Sequence, residues 1–190
     1  MIIHLTGSAH NIEKDISFYR RIIKVIHEND GILARDWIET AFHRREKKVK
    51  DDKVDWNSVM NGNLEAIGRS DIVIIEISNY SFSQGFQAAI AINQKKPLLL
   101  ISRTPIKKHA ISGYKSKLLT TAEYKTEEDL DVIIKQFIVD NTIATKDLRF
   151  NMFIDRPIYN YLRSVSYESG KNKSEIIREL IEREIKKQKD

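Results

Sequence analysis

Along the first 140 residues, short apolar runs alternate with stretches of helical period. Ile2 to Thr6 reads as a buried strand that ends in the turn Gly7-Ser8. From Ile12 to Asn29 the residues Ile16, Tyr19, Ile22, Ile23 and Ile26 share one helical face, with Gly31 placed to close the helix. Ile32 to Ala34 predicts a short second strand. His43 to Lys53 has no apolar period and predicts a polar, mostly basic loop, after which Trp56 to Gly68 predicts a helix. Asp71 to Ile77 is the clearest strand of the chain. Its run of β-branched side chains implies burial on both faces, as in the middle of a parallel sheet. Ser83 to Gln94 predicts a helix, Pro97 to Ser102 a buried strand, Leu118 to Thr121 a weaker strand and Thr126 to Asp140 a last helix. Strands that alternate with helices predict an α/β class, a parallel sheet covered on both sides with a site at the strand carboxyl ends.

The pattern then changes. Asn141 to Asp147 lacks apolar period and reads as a linker. In Leu148 to Asp155, Phe150, Met152 and Ile154 alternate with Arg149, Asn151 and Phe153, the period of a strand packed on one face. Pro157 opens a helix whose apolar stripe is Ile158, Tyr161, Leu162 and Val165, and Gly170 stops it. A polar turn, Lys171-Asn172-Lys173-Ser174, leads into a second helix carrying Ile176, Ile177, Leu180, Ile181 and Ile185. One strand and two short helices cannot bury their apolar faces alone, and pairing two such strands across a dimer axis solves the problem.

Composition narrows the chemistry. A 41% hydrophobic and 31% charged chain supports a real core beneath a solvated surface. The net charge of +5 is compatible with an acidic partner such as nucleic acid. With no cysteine, disulfides, thiolate metal sites and a Cys nucleophile are excluded, and His4, His10, His27, His43 and His109 lack metal-ligand spacing, so no metal or cofactor is expected. The opening run Ile2-Ile3-His4-Leu5 is neither a signal peptide nor a membrane anchor, which predicts a cytoplasmic protein with no membrane partner.

The segment from Leu148 to about Lys187 resembles the ribbon-helix-helix repressors of the Arc and CopG type, through its strand, Gly turn and Ser174-Glu175-Ile176-Ile177-Arg178. The resemblance implies a homodimer or higher oligomer whose paired strands enter the major groove of DNA with Arg149, Asn151 and Phe153 facing the bases. Arg suits guanine and Asn adenine. Phe153 departs from the family, where a polar or basic residue is usual, and offers contact only to a thymine methyl. Backbone N–H groups near Lys173 and Ser174 would hold a phosphate. The plainer alternative is a dimerisation module that never touches DNA.

Farther upstream, His4-Leu5-Thr6-Gly7-Ser8, then Asn63 through Asp71, then Gly85-Phe86-Gln87 and Lys96-Pro97 form an ordered set. Together they resemble the nucleoside 2-deoxyribosyltransferase and nucleotide N-glycosidase family, over about Met1 to Ser102. The resemblance implies a flavodoxin-like fold over residues 1–140, followed by the linker at 141–147 and the ribbon-helix-helix unit at 148–190. In that family a glutamate below C1′ is the nucleophile of a retaining, two-step reaction. The aligned residue here is Gln87, a second acid aligns with Asn63, and Asp71 is kept as a structural or orienting acid. An amide is a poor nucleophile but still hydrogen-bonds. The expectation is therefore a pseudoenzyme that retains a pocket for a nucleotide or nucleoside, built around Gly7, Ser8, Asp36, Trp37 and Gly85.

Several residues admit two readings. Gly7-Ser8 cradles phosphate or is a plain turn; Trp37 stacks on a base or merely packs; Arg44, Arg45, Lys47, Lys48 and Lys50 touch phosphate or form a solvated loop. His4 reads as a satisfied core histidine, and Gln87 and Asn63 also fit as ordinary residues of a generic sheet domain. Three functions follow. The first is a DNA-binding regulator that senses a nucleotide, and the second an active glycosidase or transferase, of the sort used by toxin-antitoxin or phage-defence effectors, whose acid is Asp71, Glu65 or Glu76. The third is an assembly protein that only dimerises.

Overall fold

Alternation with period two builds the sheet. In the computed structural model, which describes residues 1–79, 81–108, 110–142 and 152–188, Ile3, Leu5, Ile72, Ile74, Leu99 and Ile101 face one core, while Val73, Ile75, Leu98 and Leu100 face another. The strands are β1 (Ile2–Thr6), β2 (Ile32–Leu33), β3 (Ile72–Glu76), β4 (Leu98–Ser102) and β5 (Leu119–Glu123). All pair in parallel in the order β2-β1-β3-β4-β5, with Ile3 opposite Ile72 and Val73 opposite Leu98. This is the flavodoxin-like order, and it confirms the α/β class. The chain reverses its direction of travel between β1 and β3, which opens a crevice at the carboxyl ends of those strands.

Helix α1 (Ile12–Glu28) and helix α5 (Glu127–Asp140) supply Tyr19, Ile22, Ile26, Ile134 and Phe137 to the first core. Helix α3 (Trp56–Arg69) and helix α4 (Phe82–Asn93) give Ile67, Ala88 and Ala91 to the second. Ser81 and Gln84 cap α4 reciprocally and fix where it begins beside the crevice. Between β4 and β5 the described chain makes short 3-10 turns, Ile106–Lys108 and Ala110–Gly113, in place of a crossover helix.

Two details differ from the sequence reading. A helix α2 (Ile38–Glu46) takes His43 to Glu46 out of the predicted basic loop; Ile38 and Ala41 anchor it to the first core. At the end of α1 the left-handed residue is Asp30, with φ of 57°, rather than Gly31. Gly31 is required by close approach instead, since a Cβ there would lie 2.7 Å from Ile26 Cγ2.

The chain divides into two compact units, Met1–Thr142 and Ile143–Asp190. In the second, Asp155 caps α6 (Arg156–Ser169), and Gly170 ends it in the left-handed conformation at φ of 70°, as expected from the sequence. Asn172 and Glu175 form a capping box that opens α7 (Lys173–Lys187). Of the predicted strand Leu148 to Asp155, residues 148–151 lie outside the described residues, and Met152 to Asp155 have no regular secondary structure in the single chain. Among the described residues of this unit only Leu162 and Ile176 are buried; Ile158, Tyr161, Ile181 and Ile185 are about half exposed.

Candidate active site

The crevice holds a pocket of about 370 Å³. Its polar side is the β1–α1 turn, Thr6 to His10, together with Ser81 and Ser83 at the start of α4. Its opposite side is apolar and aromatic, with Trp37, Val54, Trp56, Val59 and Met60. Arg35, Arg44, Arg45, Asn63 and Gln87 also line it, and Asp51 is the carboxylate among the described lining residues. A larger cavity of about 680 Å³ lies between α4 and the 3-10 turn Ala110–Gly113, lined by Ile77, Ala88, Ile92, Leu100 and Ile111. Among its described lining residues the titratable one is Tyr114. We place the chemistry in the smaller pocket because it occupies the strand carboxyl ends and gathers the polar side chains. Gly85 lines the apolar cavity and not the polar one.

Gln87 sits at the bottom of the pocket, buried on α4, with Oε1 3.0 Å from His4 Nε2. His4 alternates with Ile3 and Leu5 along β1, so it faces the α3–α4 side of the sheet. Burial lowers its pKa from the ordinary 6.5, although the bond to Gln87 acts the other way, so the ring is neutral at pH 7. A neutral ring that donates from Nε2 fixes the Gln87 oxygen, and His4 Nδ1 is left buried without a partner. Asn63 is held the same way: its Oδ1 accepts from Arg35 Nη1 at 2.6 Å, and Arg35 also donates to the Val59 carbonyl. Gly62 makes that possible, because a Cβ there would lie 2.8 Å from the guanidinium.

The turn at Gly7 and Ser8 is shaped by Tyr19. The Tyr19 hydroxyl donates to the Ser8 carbonyl at 3.1 Å. A Cβ on Gly7 would lie 2.6 and 2.7 Å from Tyr19 ring atoms. Gly7→Ala is therefore expected to cost about 1–3 kcal/mol by overpacking. The corresponding drop in Tm is several degrees by thermal denaturation; an unchanged Tm would mean that the turn moves aside freely. Trp37 lines the pocket with its ring, but its N–H is already donated to the Leu5 carbonyl at 2.8 Å, so it packs and stacks without reading a base edge. Asp36 is exposed and does not line the pocket.

The alternative acids are placed elsewhere. Asp71 precedes β3 and accepts the Ile2 backbone N–H at 2.7 Å, at the amino end of the sheet and away from the pocket. That bond suits the structural or orienting part that the resemblance implies for Asp71. Lys96 of the same ordered set donates to the Gly68 and Ser70 carbonyls and closes the end of α3. Glu65 is exposed on α3. Glu76 shares the sheet face of Ile72 and Ile74, the face opposite His4 and Gln87. There it accepts from Tyr124 Oη at 2.9 Å and from Ser78 Oγ, and it lies 3.9 Å from Arg103. Burial pushes its carboxyl above the ordinary range, and Oε2 has no partner. Arg103 also pairs with Asp15 at 2.6 Å, and Asp15 accepts from Asn79. This buried network ties α1 to the ends of β3, β4 and β5.

Arg35, Asp51, Trp56 and Met60 were not singled out from sequence. A usable signal existed for Arg35 alone, since it directly follows the second strand, where side chains point toward the crevice. In the second unit, Arg149 and Asn151 lie outside the described residues, Phe153 is fully exposed, and Lys173 and Ser174 occupy the first turn of α7.

No protein-family model matches the chain. It is similar to a 5-hydroxymethyl-dUMP N-hydrolase from Esox lucius, 23% identical over 146 residues that make up 72% of this chain and 95% of that protein. Among solved structures it is similar to a CMP N-glycosidase of Clostridium botulinum, with 10% identity, 70% of this chain and 98% of that one covered, and a TM-score of 0.49. The similarity to the N-hydrolase agrees with the N-glycosidase resemblance read from the sequence. No helix among the described residues is long and apolar enough to cross a membrane.

Proposed function

We propose that the chain is a dimeric, cytoplasmic DNA-binding regulator whose first unit holds a nucleotide-type ligand without cleaving it efficiently. The observation that carries this reading is the buried Gln87–His4 pair at the bottom of the crevice pocket. A neutral amide stands where the resemblance implies a nucleophilic carboxylate, in a chain similar to a nucleotide N-hydrolase. The ligand unit spans 1–140 and a linker follows at 141–147. Residues 148–190 form the ribbon-helix-helix unit, which presents Arg149, Asn151 and Phe153 to bases and Lys173 and Ser174 to phosphate. Ligand binding would act on DNA only through a difference in affinity between two states of the dimer.

The test is retention of duplex DNA taken from upstream of the protein's own coding sequence, titrated with and without a panel of nucleotides. The expected result is salt-dependent retention, changed about fivefold or more by one nucleotide. Failure to retain any DNA at moderate salt would leave an assembly protein, and retention unaffected by every nucleotide would remove the sensing role. One observation favours a second reading, an active N-glycosidase or transferase carrying a DNA-binding tail: Asp51 lines the pocket. In that reading Asp51, rather than Asp71, Glu65 or Glu76, is the relocated acid.

A further inference from the structure

Glu76 is a buried carboxylate that the crevice pocket does not use. It is 1% exposed at the carboxyl end of β3, and the donors that reach it converge on one oxygen. Oε1 accepts from Tyr124 Oη at 2.9 Å, from the Ser78 N–H at 3.2 Å and from Ser78 Oγ, while Oε2 has no partner among the described residues. A proton on Oε2 therefore leaves each of these bonds in place, and what changes with ionisation is the buried charge. The charged and titratable groups around it are Asp15 and Tyr19 from α1, Arg103 after β4 and Tyr124 after β5. Arg103 lies 3.9 Å from Glu76 but is paired with the buried Asp15 at 2.6 Å, with the Phe18 ring 4.6 Å from its guanidinium. An ionised Glu76 thus has no cation of its own. Burial, the largest influence, pushes its carboxyl above the ordinary 4.5, against the pull of Ser78, Tyr124 and Arg103.

The same cluster holds the two segments that form the polar side of the crevice pocket. Ser78 Oγ accepts from the Arg103 N–H at 2.8 Å and from Arg103 Nε at 3.2 Å. Asn79 donates to Asp15 at 2.6 Å and accepts from Asn11 Nδ2 at 3.0 Å. Asn11 directly follows the turn Thr6 to His10, and Ser78 and Asn79 lead toward Ser81, which caps α4 and lines the pocket. The Glu76 carbonyl accepts from Gln84 Nε2 at 2.7 Å and so holds the first turn of α4. One helical turn beyond Asp15, Tyr19 donates to the Ser8 carbonyl and meets Trp37 edge-on at 5.7 Å.

We propose that the protonation state of Glu76 sets the spacing between the β1–α1 turn and the start of α4, so that the crevice pocket changes shape with pH from behind the sheet. Ionisation puts a second carboxylate beside a guanidinium already committed to Asp15. Arg103 is then drawn between the two, and its bonds to Asp15 and Ser78, which tie the two segments together, give way in part. Glu76 acts as a positioning residue, since it touches the pocket only through Ser78, Arg103 and Asp15. The sign for stability follows from the raised value. The folded chain holds this proton more tightly than the unfolded one, so the contribution is full below 4.5 and is lost as pH rises through the folded value.

Trp37 and Trp56 are the two tryptophans of the chain, and both line the pocket. Their emission and its quenching by acrylamide therefore read the pocket with no ligand present. The full chain is titrated from acid to mildly alkaline pH, beside Glu76→Gln, Asp15→Asn, His10→Gln and, as an exposed control, Glu65→Gln, with thermal denaturation of each across the same range. The wild type is expected to show a step with a midpoint above 4.5, accompanied by a fall in Tm as pH rises. Glu76→Gln should lose both, and Glu65→Gln should keep both. Asp15→Asn, which frees Arg103 for Glu76, should move the midpoint down, and this arm decides the matter if Glu76→Gln does not fold. No step in the wild type, or one that survives in Glu76→Gln, would overturn the proposal. So would a step that vanishes in His10→Gln, since it would then belong to the imidazole lining the pocket, and so would a midpoint that Asp15→Asn leaves in place.

Discussion

Gln87→Glu is expected to raise base release from nucleoside 5′-monophosphates about a thousandfold over the wild-type chain. Cleaving an N-glycosidic bond develops positive charge on the sugar, and a carboxylate about 4 Å away contributes roughly 4 kcal/mol at an effective dielectric of ~20. That energy corresponds to about three orders of magnitude in rate. The wild-type pocket lacks this charge at its buried centre and adds the repulsion of Arg35, Arg44 and Arg45. Glutamate is nearly isosteric with glutamine, and His4 Nε2 is already positioned at 3.0 Å to orient the new carboxylate. Turnover is measured by chromatography at saturating nucleotide, because the variant should bind it more weakly. Wild-type release above that of Gln87→Ala, lost in Asp51→Asn, would make the N-glycosidase reading lead. A folded Gln87→Glu that stays at background would place the sugar away from residue 87.

The sheet was legible because its central strands, β3 and β4, are buried on both faces. Ile72 to Glu76 and Leu98 to Ser102 are apolar almost without interruption, and no helical period competes with that signal. The sequence missed α2 for the opposite reason. Over nine residues it carries four charged side chains, and its buried positions, Ile38 and Ala41, fall one turn apart and then stop. Tertiary packing, not periodicity, makes that segment a helix.

The candidate site was legible in part. Asn63 and Gln87 were found because an ordered family pattern placed them, and they do line one pocket. The same pattern also contained Asp71 and Lys96, which hold the amino end of β3 and the end of α3 and serve the scaffold. Spacing alone does not separate the two uses, since a defined turn is needed at both ends of a strand. Arg35 and Asp51 follow β2 and α2, separated in sequence from Gln87, and only the closing of the sheet brings them together. Sidedness was invisible as well: Glu76 ends the central strand, but its parity with Ile72 and Ile74 puts it on the face away from Gln87. Parity along a strand is readable from sequence, and applying it to β1 and β3 together would have set Glu76 aside.

Ile181→Glu is expected to turn a dimer into a monomer of 22.1 kDa and to abolish retention of DNA. Two short helices with Leu162 and Ile176 as their buried residues form too small a core to stand alone. Ile158, Tyr161, Leu180, Ile181 and Ile185 are left between 37% and 55% exposed, an apolar surface that a partner chain would cover. Fully burying such a side chain contributes about 1.5–3 kcal/mol, so several of them together support a stable dimer. Because Ile181 is 55% exposed in the single chain, a glutamate there acts where a partner buries it and leaves the first unit folded. Val132→Glu, on the exposed side of α5, is the control, since that position is 69% exposed and belongs to the first unit. Size-exclusion chromatography with light scattering reads the mass, and filter retention reads the DNA. If Ile181→Glu remains dimeric, the first unit holds the dimer together. If it becomes monomeric and still retains DNA at moderate salt, basic surface rather than a paired ribbon carries the contact, and Arg149, Asn151 and Phe153 lose their assignment to the bases.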